Sequence, residues 1–288
     1  MNIRKSFQKI ISFPPKNTLK QLTIGENYIN NGSVGALKNN FIIKKYFEHK
    51  GVVIKNIIPS SDYNDDLYRL YFYNYKNFNE FNGPLLNISS NPDFFISTIS
   101  SSFKTRNTNV IVFDSTCKGM NDEQYMYYLL NKSPPPPKTN DFLQNINPHR
   151  SLLYLGVDSH NKNLKNSLNK EKIIYLTSED VNFAVFDSIQ KVSKMFEPSS
   201  SSDLMQISVN VDSITSDIKD SQKIYIDSFI IIISNLILRY NISNVSLLFN
   251  ETPSFGKETI IEKHEDAILS FFQKCCPKGP TETKPVNY

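Results

Sequence analysis

The sequence predicts an α/β domain in which helices cover both faces of a mostly parallel sheet. Short β-branched runs alternate with longer segments of helical periodicity along the 288 residues. Strands separated by single helices form βαβ units, and such units build parallel sheets. The chain exceeds the usual domain length, but no strong boundary divides it. We therefore expect one domain over residues 1–288, with an extended tail at 274–288.

The predicted elements alternate along the whole chain. In the first half, apolar runs at residues 9–13, 51–57 and 109–113 predict strands, and residues 34–50 and 93–103 have helical spacing. In the second half, strands are predicted at 151–157, 172–177, 205–211 and 244–249, and helices at 179–196, 224–238 and 257–275.

Composition argues against several classes of partner and location. The net charge of +4 comes from lysines scattered along the chain, so no basic patch for nucleic acid is indicated. Nine glycines and no glycine-rich loop argue against a nucleotide cradle. The most apolar run, residues 224–238, is too short to span a bilayer and contains Asp227. Three cysteines without metal-ligand spacing suit a reducing compartment, so we expect a cytoplasmic protein without membrane contact.

Polar residues follow the predicted strands at their carboxyl ends, where parallel sheets bind ligands. They are Asp114, Asp158 followed by His160, Asn210 with Asp212, and Asn250. The period of two along a strand predicts that the side chains of Asn210 and Asp212 point the same way.

Several stretches resemble motifs of the arginase/agmatinase (ureohydrolase) family in the right order. The strand end "ISVNVD" is similar to the family's Asp-Val-Asp, and "VIVFDSTCKG" to its Asp-x-His-x-Asp motif. The segment "NETPSFGKET" resembles the family's Asn-Pro-Ser-x-Gly-Lys-Thr segment, and "ETKPVNY" the tail of eukaryotic arginases. The resemblance covers nearly the whole chain and implies a three-layer α/β/α, arginase-like fold.

The family's metal positions are mostly substituted in this sequence. The resemblance implies a centre of two manganese ions held by carboxylates and histidines, with a hydroxide that attacks the guanidinium carbon. Only Asp114 and Asp212 keep a metal-binding side chain at matching positions. The remaining matches are Asn91, Thr116, Lys118 and Asn210, with Asn250 where a substrate-contacting Glu usually stands.

These substitutions predict an inactive arginase-like protein without a manganese centre and with no other cofactor. Neutral side chains bind a divalent ion poorly, and Lys118 is predicted to pair with Asp114 or Asp212 instead. The expected partners are further copies, an active relative, or a ligand of the arginine, ornithine or polyamine type.

Alternatives remain open at this stage. An active ureohydrolase with unorthodox ligands would use Asp114, Asp158, His160 and Asp212. Asp114 and Asp212 are also suited to capping the helices that follow them. The proline run at residues 133–138 is either a stiff surface loop or a recognition motif for a partner domain.

Overall fold

The computed structural model describes residues 21–25, 53–57, 85–89, 98–99, 108–117, 152–196 and 204–248. Its centre is a sheet of eight strands: β1 (Gln21–Gly25), β2 (Val53–Ile57), β3 (Leu85–Ser89), β4 (Asn109–Phe113), β5 (Leu152–Val157), β6 (Ile174–Thr177), β7 (Leu204–Asn210) and β10 (Asn241–Leu248). They are all parallel and lie in the spatial order β2-β1-β3-β10-β7-β4-β5-β6. The predicted α/β class and parallel sheet are confirmed.

Four helices are described, together with a small second sheet. The helices are α1 (Lys162–Lys170), α2 (Ser178–Phe183), α3 (Val185–Met195) and α4 (Ile226–Arg239). The second sheet pairs β8 (Ile214–Thr215) with β9 (Ile224–Tyr225) in parallel. No helix among the described residues is long and apolar enough to cross a membrane.

One face of the sheet forms the hydrophobic core. Alternate residues of β4, β5, β7 and β10 point toward α3 and α4 and are fully or almost fully buried. The ring of Phe113 meets that of Phe229 edge to face at 5.1 Å, which joins the end of β4 to the start of α4. Helix α4 is apolar on most sides, as expected of a helix inside a core.

The other face of the sheet carries polar side chains on β7 and β10. There the side chains of Gln206, Ser208 and Ser246 are buried under the helical residues Thr98–Ile99. The amide of Gln206 donates to Thr98 Oγ1 (3.1 Å) and to Ser208 Oγ (2.8 Å), and the hydroxyls of Thr98 and Ser246 lie 2.9 Å apart. Elements therefore lie on both faces of the sheet, in the three layers that the sequence predicts.

Helix α2 begins with a capping box. The Thr177 hydroxyl accepts from the backbone N–H of Asp180, whose carboxylate accepts from the backbone N–H and the hydroxyl of Thr177. The sequence predicts one helix over residues 179–196, and this is wrong in one respect. The chain leaves helical geometry at Ala184 (φ −129°, ψ 51°), so α2 and α3 are separate helices.

Two further differences concern helix α1 and strand β1. Helix α1 occupies a segment for which the sequence pattern gives no prediction; its buried residues are Leu164 and Leu168, one turn apart. The strand paired with β2 and β3 is Gln21–Gly25. The strand predicted at residues 9–13 and the helices predicted at 34–50 and 257–275 lie outside the described residues.

Candidate functional site

The ends of β4 and β7 bring Asp114 and Asn210 together. In the sheet register Phe113 pairs with Val209, so the next residue of each strand, Asp114 and Asn210, lies at the carboxyl edge on the same face. Both side chains are buried, with 0% and 1% of their surface exposed. The amide nitrogen of Asn210 donates to Asp114 Oδ1 at 3.0 Å.

One carboxylate oxygen of Asp114 accepts four hydrogen bonds from neutral groups. Besides Asn210, the hydroxyl of Ser213 donates to Oδ1 at 3.1 Å. The backbone N–H and the hydroxyl of Thr116 donate to the same oxygen, each at 2.9 Å. The two oxygens of a carboxylate together offer about four lone-pair sites. Four donors at one oxygen therefore leave no lone pair free on Oδ1. We call Asp114, Thr116, Asn210 and Ser213 the Asp114 cluster.

Asn210 uses both ends of its amide. Its Oδ1 accepts from the backbone N–H of Asp212 at 3.3 Å and thereby caps the short 3₁₀ turn Val211–Ser213. Its Nδ2 is the donor to Asp114. An aspartate at this position would cap the turn equally well, but it would place a second carboxylate oxygen against Asp114. Such a pair requires a cation or a proton, whereas the amide requires neither.

Ser213 connects the cluster to a second strand end. Its hydroxyl accepts from the backbone N–H of Ser115 at 2.9 Å and from the Ser115 hydroxyl at 3.1 Å. The carbonyl of Ser115 in turn accepts from the backbone N–H of Asp158, the residue after β5, at 3.0 Å. The ends of β4, β5 and β7 are therefore joined by direct hydrogen bonds. No sequence motif points to Ser213, and it is the cluster member that sequence reasoning misses.

Two weak acids lie beside Asp114 in the dry interior. Burial raises the pKa of the Cys117 thiol well above its usual value, and the charge of Asp114 raises it further. The pKa of Tyr154 is also raised, first by burial and then by Cys117 and Asp114. Both side chains are almost completely buried, and the thiol of Cys117 contacts the carbonyl of Asp114 at 3.7 Å. A buried thiol with a raised pKa is an unreactive one.

The strand-end residues predicted as alternative ligands are not grouped as metal ligands in the part of the chain that the structure describes. The Asp158 carboxylate accepts from the backbone N–H of His160, which is exposed. Asp212 lies in the 3₁₀ turn, because β7 ends at Asn210, so the predicted strand alternation of these two residues does not apply. Across the described ranges, no three His, Cys, Asp or Glu side chains are grouped so that they could hold a metal ion.

Neither Asp114 nor Asp212 caps a helix in the way that the sequence suggests. Asp114 accepts from the backbone N–H of the residue two positions on, which closes a turn and not a helix. The 3₁₀ turn after β7 is capped by Asn210, and Asp212 is the second residue of that turn. Asn91, Lys118 and Asn250, like the proline run at 133–138, lie outside the described residues. The pairing of Lys118 with Asp114 or Asp212 stays a prediction.

The described donors around Asp114 do not fit a manganese ion. Manganese prefers carboxylate, imidazole and water ligands, whereas the cluster supplies an amide, two hydroxyls and a backbone N–H whose hydrogens point at Oδ1. A cation at this oxygen would have to displace several of these donors. The described side chains therefore give no basis for a metal-assisted step.

Comparison with solved structures identifies the fold. The arginase of Entamoeba histolytica in complex with L-ornithine matches with a TM-score of 0.65 at 15% identity, over 90% of this chain and 99% of that one. Helicobacter pylori arginase matches with a TM-score of 0.66 at 13% identity, over 88% and 98% of the two chains. Bacillus subtilis formimidoylglutamase matches at 0.64 and 13%, over 91% and 89%.

The protein thus has an arginase-like, three-layer α/β fold, as the sequence motifs predict. At these identities the likeness concerns the fold alone. No protein-family model matches the sequence, and no curated protein matches it either.

Proposed function

We propose that this protein is a ureohydrolase-related pseudoenzyme: it keeps the arginase-like fold but uses no binuclear manganese centre and hydrolyses no guanidino substrate. The observation that carries the proposal is the Asp114 cluster. Four neutral donors converge on Oδ1 of Asp114, and one of them is the amide of Asn210 at the position that matches a family aspartate.

The chemistry of the cluster supports this proposal in a simple way. A catalytic manganese site needs carboxylates whose lone pairs are available to the ion and a water whose pKa the ion lowers. Here the lone pairs of Oδ1 receive hydrogen bonds from within the protein. The hydrogen bonds take over the structural role of a cation, because they hold two strand ends together around one buried negative charge.

What such a protein does is then a matter of binding. We propose that it acts through association with other chains, with a small ligand of the arginine or ornithine type as a second possibility to test. The E. histolytica arginase that shares the fold was solved with L-ornithine. Binding of this kind needs the shape of a strand-end pocket and no metal chemistry.

The direct test is an assay for urea release. The purified full chain, incubated with excess Mn²⁺, is supplied with arginine and agmatine, guanidino compounds whose hydrolysis releases urea. We expect no release above the background of the Asp114→Asn variant, which removes the one carboxylate of the cluster. Asp212→Asn serves as a second control, since Asp212 is half-buried and outside the set of donors. Urea release that either substitution abolishes would establish an active hydrolase and overturn the proposal.

Ligand binding is tested separately by thermal shift with L-ornithine, arginine and a polyamine. A ligand that binds only the native state raises the melting temperature in proportion to its saturation. A rise in melting temperature with one of these three compounds supports a role in ligand binding. If none of them raises the melting temperature, association with other chains remains the proposed function and ligand binding is withdrawn.

A further inference from the structure

Strand β6 is the last strand in the order of the described sheet. It pairs with β5, and none of the described strands lies on its other side. Its first residue, Ile174, is paired with the buried Leu153 of β5 but is itself 46% exposed. An edge strand presents backbone N–H and C=O groups with which another polypeptide can pair. The start of β6 therefore combines an exposed apolar side chain with an edge that can accept a further strand.

The residues that lead into β6 are basic. Helix α1 ends at Lys170, and Lys172 stands two residues before the strand; both side chains are exposed. The acid between them, Glu171, is buried. Residues 162–174 contain four lysines and one acid, which gives them a net charge of +3. The surface beside the start of β6 is therefore positively charged, and we call Lys170, Lys172 and Ile174 the basic edge.

Lys172 occupies a backbone position that favours glycine. After α1 the N–H of Lys172 donates to the carbonyl of Asn169 at 3.1 Å, and the N–H of Ile173 donates to the carbonyl of Leu168 at 2.9 Å. These two hydrogen bonds form a Schellman motif, whose left-handed residue is usually glycine. Here that residue is Lys172, with a φ of +56°. A lysine held in this strained conformation points to a function for its side chain.

We propose that the basic edge binds an extended acidic segment of a partner protein. The backbone of the segment pairs with the edge of β6, its carboxylates lie against Lys170 and Lys172, and an apolar side chain covers Ile174. A lipid surface or a nucleic acid also attracts lysines, but neither can pair with the backbone of a strand. Exposed lysines hinder pairing with a basic strand, so an acidic segment is the favoured occupant.

This inference names the chemistry of the partner, and it rests on the proposed association with other chains. It does not depend on the loss of the manganese centre, because the basic edge and the Asp114 cluster share no residue. Urea release would overturn the proposed pseudoenzyme and leave the affinity for an acidic peptide unaffected. Failure to bind such a peptide would overturn the role of the basic edge and leave the metal content unaffected.

Fluorescence anisotropy of the full chain with a labelled peptide of alternating Glu and Val residues tests the interface. We expect binding that weakens at least roughly tenfold when the salt rises to about 1 M, where screening acts over about 3 Å. Lys170→Glu/Lys172→Glu should weaken this binding roughly tenfold as well. The matched control Lys191→Glu/Lys194→Glu makes the same change of charge at two exposed lysines of α3 and should bind like the wild type. Circular dichroism verifies that both variants fold.

Lys172→Gly separates binding from folding. Glycine adopts the left-handed φ without strain, so this variant is expected to melt about 2 °C higher than the wild type while it binds the acidic peptide roughly fivefold more weakly. An unchanged peptide affinity in Lys172→Gly would overturn the proposal, as would a wild type that does not bind the peptide. Equal weakening by the control pair on α3 would overturn it too, and so would binding of phosphatidylserine vesicles or single-stranded RNA in place of the peptide.

Discussion

Asn210 places an amide against Asp114 where an aspartate would place a second carboxylate. Its amide nitrogen supplies a hydrogen to Asp114 Oδ1 at 3.0 Å while its oxygen caps the following turn. An aspartate in its place would keep the cap and lose the donor. An amide at this position therefore needs no cation between it and Asp114.

The Asn210→Asp variant is expected to lose roughly 3 kcal/mol of unfolding free energy at neutral pH, because it buries a second carboxylate against Asp114. The repulsion raises the folded-state pKa of the introduced carboxyl above its unfolded value of about 3.9, so the loss is present above that pH and disappears as the pH falls toward it. Urea unfolding of the variant and the wild type at pH 4.5 and at pH 7.5 measures the loss of unfolding free energy at each pH.

The control for that experiment is Asn161→Asp. Asn161 caps α1 by accepting from the backbone N–H of Leu164, a role that aspartate fills equally well. Its unfolding free energy should change little at either pH. If Asn210→Asp were as stable as this control at neutral pH, the amide would not be needed at the cluster.

Cys117 predicts a loss of stability in alkali. Its pKa is raised by burial and by Asp114, so above the unfolded-state value of about 8.5 the unfolded chain ionises its thiol while the folded chain does not. Stability is therefore fully present below that pH and falls above it. Between pH 7.5 and 9.5 the wild type should lose roughly 1 kcal/mol more unfolding free energy than Cys117→Ala, which has no thiol to ionise. Parallel pH curves for the two proteins would contradict this.

At the scale of elements, Gly156 sets the fit between β5 and the second sheet. It adopts a left-handed φ of +84°, and a Cβ added there would overlap the side chain of Ile224 in β9. Both the backbone angle and the space thus require glycine. The β-bulge that separates the pairs of Leu155 and Val157 with β6 occurs at this same residue.

Gly156→Ala is expected to cost about 3 kcal/mol or more of unfolding free energy, from backbone strain and overpacking together. Ser159→Ala is a suitable control from the same strand end, because its hydroxyl is buried without a hydrogen-bond partner among the described residues. Chemical denaturation gives both values. An alanine at position 156 that costs less than about 1 kcal/mol would mean that Ile224 moves aside without strain.

The order of elements is largely readable from the sequence, and the failures have local causes. Val181, Val185, Ile189 and Val192 keep helical spacing across residues 179–196, so no break is indicated in the apolar pattern. The end of α2 is instead tied to the distant loop before β9 through Asn182, a contact that local periodicity does not contain. Helix α1 is missed because Leu164 and Leu168 are its only apolar positions.

The candidate site was predictable only in part for a similar reason. Strand ends point to Asp114 and Asn210, because a parallel sheet collects its carboxyl ends along one edge. The role of Ser213 depends on where β7 ends and the 3₁₀ turn begins, which moves Asp212 out of the strand alternation. A one-residue change of that boundary would present different side chains to Asp114.

At the scale of the whole molecule, an arginase-like sheet combines one hydrophobic face with a second face on which the polar side chains of β7 lead to the Asp114 cluster. The eight parallel strands place that cluster at the edge where such folds bind ligands. We expect the protein to keep this architecture without a divalent ion, because hydrogen bonds join the ends of β4, β5 and β7.

The most direct measurement is the manganese content of the full chain after incubation with excess Mn²⁺ and desalting. We expect less than about 0.1 ion per chain and a melting temperature that a chelator leaves unchanged, because the described donors to Asp114 are neutral and already hydrogen-bonded to it. About one or two tightly held ions per chain would contradict the proposed loss of the manganese centre, because the carboxylates would then have lone pairs available to a metal ion.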